Sequence, residues 1–328
     1  MRICICGGGS LGHVCAGVLA SQPDNEVSIL SGHPEKWSNE VVVNDCEGKE
    51  YKGRLAKVSK EPEDVLANQD IILLCLPGYL IEETLIKIKP FVGNAKVGSI
   101  VSSTGFFFFA HKVFDKDAKL FGFQRVPFIA RVKEYGRSAN LLGYKKELAV
   151  AIENIENNFK QTLEKLFSTP VSKLNSFYEA ALTNSNPILH TGRLYSIFKD
   201  KEDEAFDHQI LFYKEWTDEA SEIEIKMDEE FFRLLDMLDV RTLPTLLDYY
   251  ESHDVASLTR KIQSIKAFEK ILSPMIETAG GWKADFTSRY FTEDFPFGLK
   301  WIRDLAKENG VDTPMIEKVY EWGISRIK

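Results

Sequence analysis

Three stretches of this sequence gather residue types that can do chemistry. The first is Cys6-Gly7-Gly8-Gly9-Ser10-Leu11-Gly12, where Gly7, Gly9 and Gly12 give the spacing G-x-G-x-x-G directly behind the apolar run Ile3-Cys4-Ile5. A strand that ends this way and opens into a helix makes a dinucleotide site. Gly7 permits the tight turn, Gly9 lets backbone approach a pyrophosphate, and Gly12 lets the helix pack close on the strand. Ser10 and Leu11 then lie at the helix N-terminus, whose N–H groups and dipole favour phosphate. The second stretch, Asn184-Ser185-Asn186-Pro187-Ile188-Leu189-His190, sets a histidine shortly after a proline that cannot continue the preceding helix. The third is Arg289-Tyr290-Phe291-Thr292-Glu293-Asp294, running on into Phe295-Pro296-Phe297-Gly298-Leu299.

Hydride transfer to a C=O or C=N carbon needs a proton donor beside the heteroatom. Histidine, with an ordinary pKa of about 6.5, suits that task near neutrality. A carboxylate on its other nitrogen fixes the tautomer and favours the imidazolium, and an arginine holds a substrate carboxylate with two parallel bonds. By spacing alone, Arg289 and Asp294 read equally as a surface ion pair, and Thr292 and Asp294 as caps of the next helix.

The elements that must position these groups change character along the chain. Ile3–Cys6 reads as a strand, Ser10–Ala20 as a helix and Glu26–Leu30 as the second strand. NAD-specific sites place an acid at the tip of that strand for the ribose 2′-OH. Here the tip is Ser31-Gly32-His33-Pro34-Glu35-Lys36-Trp37, so Ser31 with Lys36 or His33 is expected to receive a 2′-phosphate. NADP(H) is therefore favoured, with NAD(H) as the alternative through Glu35. Val41–Leu55 reads as a hairpin insertion and Pro62–Asn68 as a short helix. Asp70–Pro77 is a strand buried on both faces, with Leu76 and Pro77 at its carboxyl end, where open α/β sheets bind ligands. A helix over Tyr79–Phe91 and strands over Lys96–Ser103, Lys119–Pro127 and Asn140–Ala151 complete a βαβ layout with a peripheral β extension. The aromatic run Phe106–Phe109 is expected in the core. Beyond residue 172 the periodicity turns helical, over Ser176–Thr183, Asp218–Leu238, Leu243–Tyr250, Ser257–Leu272, Leu299–Asn309 and Pro314–Ile327. The expected fold is a doubly wound, mostly parallel Rossmann-type α/β domain over 1–172 and an all-α domain over 173–328, with the active site in the cleft between them.

Composition narrows the function. At 328 residues, 44% of them hydrophobic, the chain has the length and apolar content for two ordinary domains. A net charge of −8 excludes a nucleic-acid partner, since no basic domain is available to neutralise phosphates. No apolar run has the length of a membrane span. Residues 1–20 carry one basic residue, an apolar stretch interrupted by glycines and no good cleavage site, so they read as the first βα unit rather than a signal peptide. The five cysteines, Cys4, Cys6, Cys15, Cys46 and Cys75, are odd in number and lack a second metal-spaced pair. No disulfide framework and no metal site is expected, and the compartment is expected to be reducing, hence cytoplasmic.

Taken together, Gly7-Gly8-Gly9-Ser10-Leu11-Gly12, the N-P-x-x-H of Asn186–His190 and the R-Y-x-T-E-D-x-P-F-G-L of Arg289–Leu299 resemble the opine dehydrogenases, the octopine/nopaline dehydrogenase family. The resemblance spans both halves in the same order. Pro127-Phe128-Ile129-Ala130-Arg131 resembles a looser form of that family's Pro-aromatic-x-x-Arg segment. The resemblance implies an enzyme that joins an α-keto acid to the amino group of an amino acid through an imine, reduced by NAD(P)H. It implies His190 as the acid/base, Asp294 as its orienting carboxylate, Arg289 binding a carboxylate or bracing the pair, and Arg131 as a second substrate contact. The partners are thus small molecules, and a homodimer is the assembly left open. Two other readings compete. One is a reductase of the ketopantoate or glycerol-phosphate type, which the family pattern equips with a lysine donor where this chain offers His190. The other is a non-catalytic cofactor-binding sensor, which has no need of a His/Arg/Asp set.

Overall fold

The computed structural model describes residues 1–201 and 203–327, and the chain divides into two compact units, Met1–Ala181 and Leu182–Lys328. In the first, β1 (Arg2–Cys6) leads through the glycine turn into α1 (Ser10–Ala20), and β2 (Glu26–Leu30) follows. The chain then forms a hairpin, β3 (Glu40–Asp45) and β4 (Glu50–Arg54), and returns through β5 (Lys57–Ser59), α2 (Pro62–Val65) and β6 (Ile71–Leu74). Next come α3 (Gly78–Ile88), β7 (Lys96–Ser99), α4 (Phe106–Val113) and β8 (Leu120–Phe123). A second hairpin, β9 (Phe128–Glu134) and β10 (Ser138–Tyr144), precedes β11 (Leu148–Glu153), α5 (Phe159–Phe167), β12 (Val171–Lys173) and α6 (Tyr178–Ala181).

The main sheet has the order β12-β11-β8-β7-β6-β1-β2-β5, and every pairing in it is parallel except β8 with β11. This is the doubly wound Rossmann arrangement, with β1 between β6 and β2. Strand β6 (IILL) is buried along its whole length, as a strand covered on both faces must be. The two hairpins join into a separate sheet of order β4-β3-β10-β9. Two expectations change here. Phe128–Arg131 is itself a strand, antiparallel to β10, and Asn140–Ala151 is not one strand but the end of β10 and the start of β11, in different sheets. The polar run Lys145-Lys146-Glu147 separates them. Phe106, Phe107 and Phe109 are buried, as expected of a core run.

The small sheet explains an oddity of α1. Residues Gly12 to Leu19 are buried without a break, so the helix has no solvent face. A helix apolar all round belongs between two layers. One side of α1 faces the main sheet and the other the small one. A polar residue in such a helix must find partners. His13, fully buried, does so with both nitrogens: Nδ1–H donates to Gly9 O at 2.9 Å, and Nε2 accepts the Gly136 N–H at 2.6 Å from the β9–β10 turn. Its ring stacks on Trp37 at 4.3 Å.

Among its described residues, the second unit carries its regular structure in helices, apart from one hairpin and the isolated bridges Phe206–Trp282 and Leu211–Leu272. A turn wound wider than an α-helix, Ser185–His190, runs into α7 (Thr191–Phe198), followed by α8 (Asp218–Met237), α9 (Leu246–Tyr249) and α10 (Val255–Ser264). The hairpin, β13 (Met275–Thr278) and β14 (Gly281–Ala284), adds a short strand pair to the expected helical domain, and Ala279-Gly280 supplies its turn. After it come α11 (Arg289–Thr292), a second wide turn, Phe295–Leu299, then α12 (Lys300–Glu308) and α13 (Pro314–Arg326). The long helix α8 is capped by Thr217, which accepts the Ala220 N–H. It buries Ala220, Ile223, Met227, Phe231 and Leu234 along one stripe. Among the described residues, no helix is long and apolar enough to cross a membrane.

The His13 bonds require a neutral imidazole, and burial lowers its pKa. In the unfolded chain the group titrates near its ordinary value of about 6.5. Its contribution to stability is therefore complete above that value and is lost as pH falls toward the lower folded value. We expect His13→Gln to lower Tm at pH 7.5 and to flatten the fall in Tm between pH 7.5 and pH 5. Thermal unfolding at both values checks this, and parallel declines for the two proteins would count against it.

Candidate active site

The glycine turn of the first unit is shaped from both directions. Gly7 has φ +122°, and a Cβ there would stand 2.5 Å from Cys75 O and 2.9 Å from Leu76 Cδ2. A Cβ on Gly12 would stand 2.2 Å from Gly7 O, so the helix closes on the strand as the spacing requires. Gly9 differs: a Cβ there meets nothing within 4 Å. Gly9 also begins α1, whose end has no side-chain cap and no acid in its first turn. Open space beside uncapped N–H groups fits a pyrophosphate. Ser10 Oγ accepts the Val132 N–H at 3.1 Å, tying the turn to β9, and Pro77 starts α3 beside Leu76.

The tip of β2 is a second constructed region. Ser31 is buried, and its hydroxyl accepts the Trp37 Nε1–H at 3.1 Å and the His33 N–H at 3.2 Å. The Tyr135 hydroxyl lies 3.5 Å from Ser31 Oγ, and the Lys36 ammonium sits 5.9 Å from the Tyr135 ring centre. His33 pairs instead with Glu35, at 3.5 Å on the exposed side of the loop.

In the second unit the histidine and the carboxylate, 104 residues apart in sequence, meet: His190 Nδ1 lies 2.8 Å from Asp294 Oδ2. Each is carried by a wide turn. His190 ends the first, in which the Leu189 N–H reaches back to Asn184 O. Asp294 precedes the second, in which the Leu299 N–H reaches back to Asp294 O at 2.8 Å. Such turns are rare inside helices and frequent at functional sites. The two pack directly on each other, because a Cβ on Gly298 would stand only 3.1 Å from Pro187 Cγ. Pro187 lies inside the turn rather than merely ending the helix before it. Its carbonyl accepts the Thr191 hydroxyl at 2.6 Å. Around the imidazole, Phe212 stands edge-on at 5.6 Å and Tyr290 is tilted at 4.9 Å. His190 Nε2 lies 3.1 Å from the Tyr213 hydroxyl.

The sequence over 173–325 matches the family model described as NAD/NADP octopine/nopaline dehydrogenase, alpha-helical domain. Over that helical half, the chain is similar to the opine dehydrogenases. It is 26% identical to an octopine dehydrogenase of Mizuhopecten yessoensis, with 100% of this chain and 90% of that protein covered. It is 27% identical to a tauropine dehydrogenase of Arabella iricolor, covering 97% and 89% respectively. Among solved structures, octopine dehydrogenase with NADH and L-arginine shares the fold at TM-score 0.91 and 24% identity, over 100% of this chain and 89% of that one. A ketopantoate reductase from Ralstonia eutropha shares it at TM-score 0.68 and 14% identity, over 99% and 98%.

Not every residue expected at the site joins the dyad. The Arg289 side chain is 81% exposed and makes its ion pair with Glu293, at 4.0 Å, rather than with His190 or Asp294. Arg131 is exposed on β9, where Nη1 donates to its neighbour's carbonyl, Ala130 O, at 3.0 Å. Sequence reasoning missed His13, Tyr135, Tyr213 and Arg193. Only His13 left a signal, as a polar residue in a helix otherwise built of Val, Ala, Leu, Gly and Cys. Among the described residues, no three His, Cys, Asp or Glu side chains are placed to hold a metal ion.

The Pro187–Gly298 contact sets the dyad distance, so Gly298→Val is expected to wedge the two turns apart. Displacements of this kind cost about 10–100-fold in kcat. We expect that loss with cofactor affinity unchanged, as read by turnover and by NADPH fluorescence titration. Unchanged turnover would show that the contact does not set the geometry.

Proposed function

We propose that this protein is an NAD(P)H-dependent opine-type dehydrogenase, acting on CH–NH bonds, in which His190 is the acid/base and Asp294 its orienting carboxylate. The observation that carries the assignment is the 2.8 Å contact of Asp294 with His190 Nδ1, on motifs of the opine dehydrogenase family. The open, uncapped turn at Gly9 supports nucleotide binding by Gly7, Gly9, Ser10, Leu11 and Gly12, with Leu76 and Pro77 beside them. When bound, NAD(P)H supplies the hydride that reduces the imine carbon. The protein's own groups handle protons. As base, His190 takes the proton released when the amine attacks the keto carbon. As acid, it returns that proton to the new oxyanion, giving the carbinolamine hydroxyl, and after taking a second proton from solvent it protonates that hydroxyl, which departs as water. Asp294 accepts the Nδ1–H throughout, which fixes the tautomer and stabilises the imidazolium.

The substrates we propose are an α-keto acid and an amino acid. Octopine dehydrogenase structures with L-arginine and with pyruvate support that pair. Arg289 and Arg131 are offered as carboxylate contacts, on the motifs that carry them. We infer NADP(H) as the preferred cofactor: β2 ends in Ser31 rather than an acid, and Lys36 stands in the same loop. NAD(H) is the second reading, supported by octopine dehydrogenase with NADH. Five free cysteines support a reducing compartment, and we place the protein in the cytoplasm on that ground.

The assay is oxidation of NADPH and, separately, NADH with pyruvate, 2-oxoglutarate or glyoxylate against a pool of the twenty amino acids. Oxidation that requires both keto acid and amine is expected. Oxidation with a keto acid alone would favour the ketopantoate-type reductase, and binding without oxidation the sensor. We expect His190→Ala to lower kcat by about 10²–10⁴-fold while cofactor affinity is kept. Turnover at the wild-type rate would remove His190 from the mechanism.

Lys36→Glu is expected to raise the KM for NADPH at least tenfold, on the order of the 1.4 kcal/mol that a lost ion pair and a new repulsion supply, and to spare NADH. Equal effects on the two cofactors would show that Lys36 does not meet the 2′ position.

A further inference from the structure

Both ring nitrogens of His190 are engaged: Nδ1 with Asp294 at 2.8 Å and Nε2 with the Tyr213 hydroxyl at 3.1 Å. An ionised carboxylate only accepts, so in the neutral ring Nδ1 carries the proton and Nε2 is a lone pair to which the Tyr213 O–H donates. No nitrogen is left for a substrate atom. Tyr213 must therefore either move aside or take part.

The surroundings of Tyr213 hold it in place. Arg193, one turn beyond His190 on α7, is buried. Its Nε donates to Phe212 O at 2.9 Å and Nη2 to Glu215 O at 2.7 Å, which clamps the backbone on both sides of Tyr213. The tyrosine ring stacks on Phe268 at 4.5 Å and lies parallel to Trp216 at 6.1 Å, and the residue is 6% exposed. Among the described residues, the hydroxyl's hydrogen bond is to His190. Burial raises the phenol's pKa, so it keeps its proton at working pH.

We propose that Tyr213 is the terminal proton donor of a Tyr213–His190–Asp294 path, the phenol rather than the imidazole meeting the substrate's heteroatom. This deepens the opine-type reading and rests on it. In the imidazolium form Nε2–H donates to Tyr213 Oη, and the phenol O–H is free to face the substrate. As the carbinolamine C–O bond breaks, the nitrogen lone pair forms C=N, and the departing oxygen takes the phenol proton and leaves as water. The phenol oxygen takes the Nε2 proton in the same step. One proton passes from imidazolium to water, and Tyr213 ends unchanged. Run backwards, the path carries the amine's proton to His190.

Tyr213→Phe keeps the ring and its stacks and removes only the hydroxyl. With pyruvate, the amino-acid pool and NADPH, kcat should fall about 10²-fold, as for loss of a general acid, with KM for pyruvate within about threefold and Tm unchanged. The rate in H2O/D2O mixtures should change from a curved dependence, two protons in flight, to a linear one. A kcat that is kept or raised, with a lower KM, would overturn the proposal: the phenol would then be a stand-in that substrate displaces. A fall in Tm with kcat and KM both degraded and the isotope curve unaltered would reduce Tyr213 to a structural role and overturn it as well. His190→Ala measured alongside separates the two claims. If it is dead while Tyr213→Phe is active, only the tyrosine assignment fails; if it stays active, the dyad reading itself fails.

Discussion

In the helical unit, a proline ring rests on a glycine. Pro187 and Gly298 sit in two turns wound wider than an α-helix, and their contact brings the backbones closer than side chains would allow. A widened turn also leaves carbonyls without their usual helical partners, and Thr191 satisfies one by donating to Pro187 O. The short His190–Asp294 distance follows from that backbone approach. Fixing the geometry in the main chain leaves the imidazole and carboxylate little rotamer freedom to lose when a reaction calls on them.

Arg193 extends the same logic outward. A buried guanidinium is costly unless its donors are used, and here they go to two backbone carbonyls and a stacked indole. Burial pulls its pKa down to about 10, which still leaves it cationic at neutral pH. The charge thus fixes the 212–216 segment against the helix that begins beside His190. Positioning of the His190–Asp294 pair is distributed over backbone contacts and one buried cation rather than concentrated in the pair itself.

How far all this was legible in the sequence depends on range. Gly7 and Gly12 were readable because the constraint is local: a turn and a helix start within one short stretch admit few other residues. His190 and Asp294 were readable as a pair only through their motifs, since nothing in spacing links positions 190 and 294. Tyr213 lies in Leu211-Phe212-Tyr213-Lys214-Glu215-Trp216, whose pattern marks no chemistry, and its contact with His190 exists only once the chain is folded. The β13–β14 hairpin had its Ala279-Gly280 turn in view, but helical periodicity on either side masked two four-residue strands. The division of 140–151 between two sheets was invisible because β-pattern says nothing about which sheet a strand will join.

The burial of α1 between two sheets separates what holds the glycine turn from what holds the loop after β2. Gly8 faces the Tyr135 hydroxyl, 2.3 Å from where its Cβ would stand, and the loop after β2 packs on the same β9–β10 turn, where the Ser38 N–H donates to Gly136 O and a Cβ on Gly136 would stand 2.0 Å from Lys36 O. Substitutions at 135–137 can therefore reshape that end of the site while G-x-G-x-x-G stays untouched. The shape of the loop after β2 is thus set by a hairpin that lies more than a hundred residues along the chain from the glycine turn.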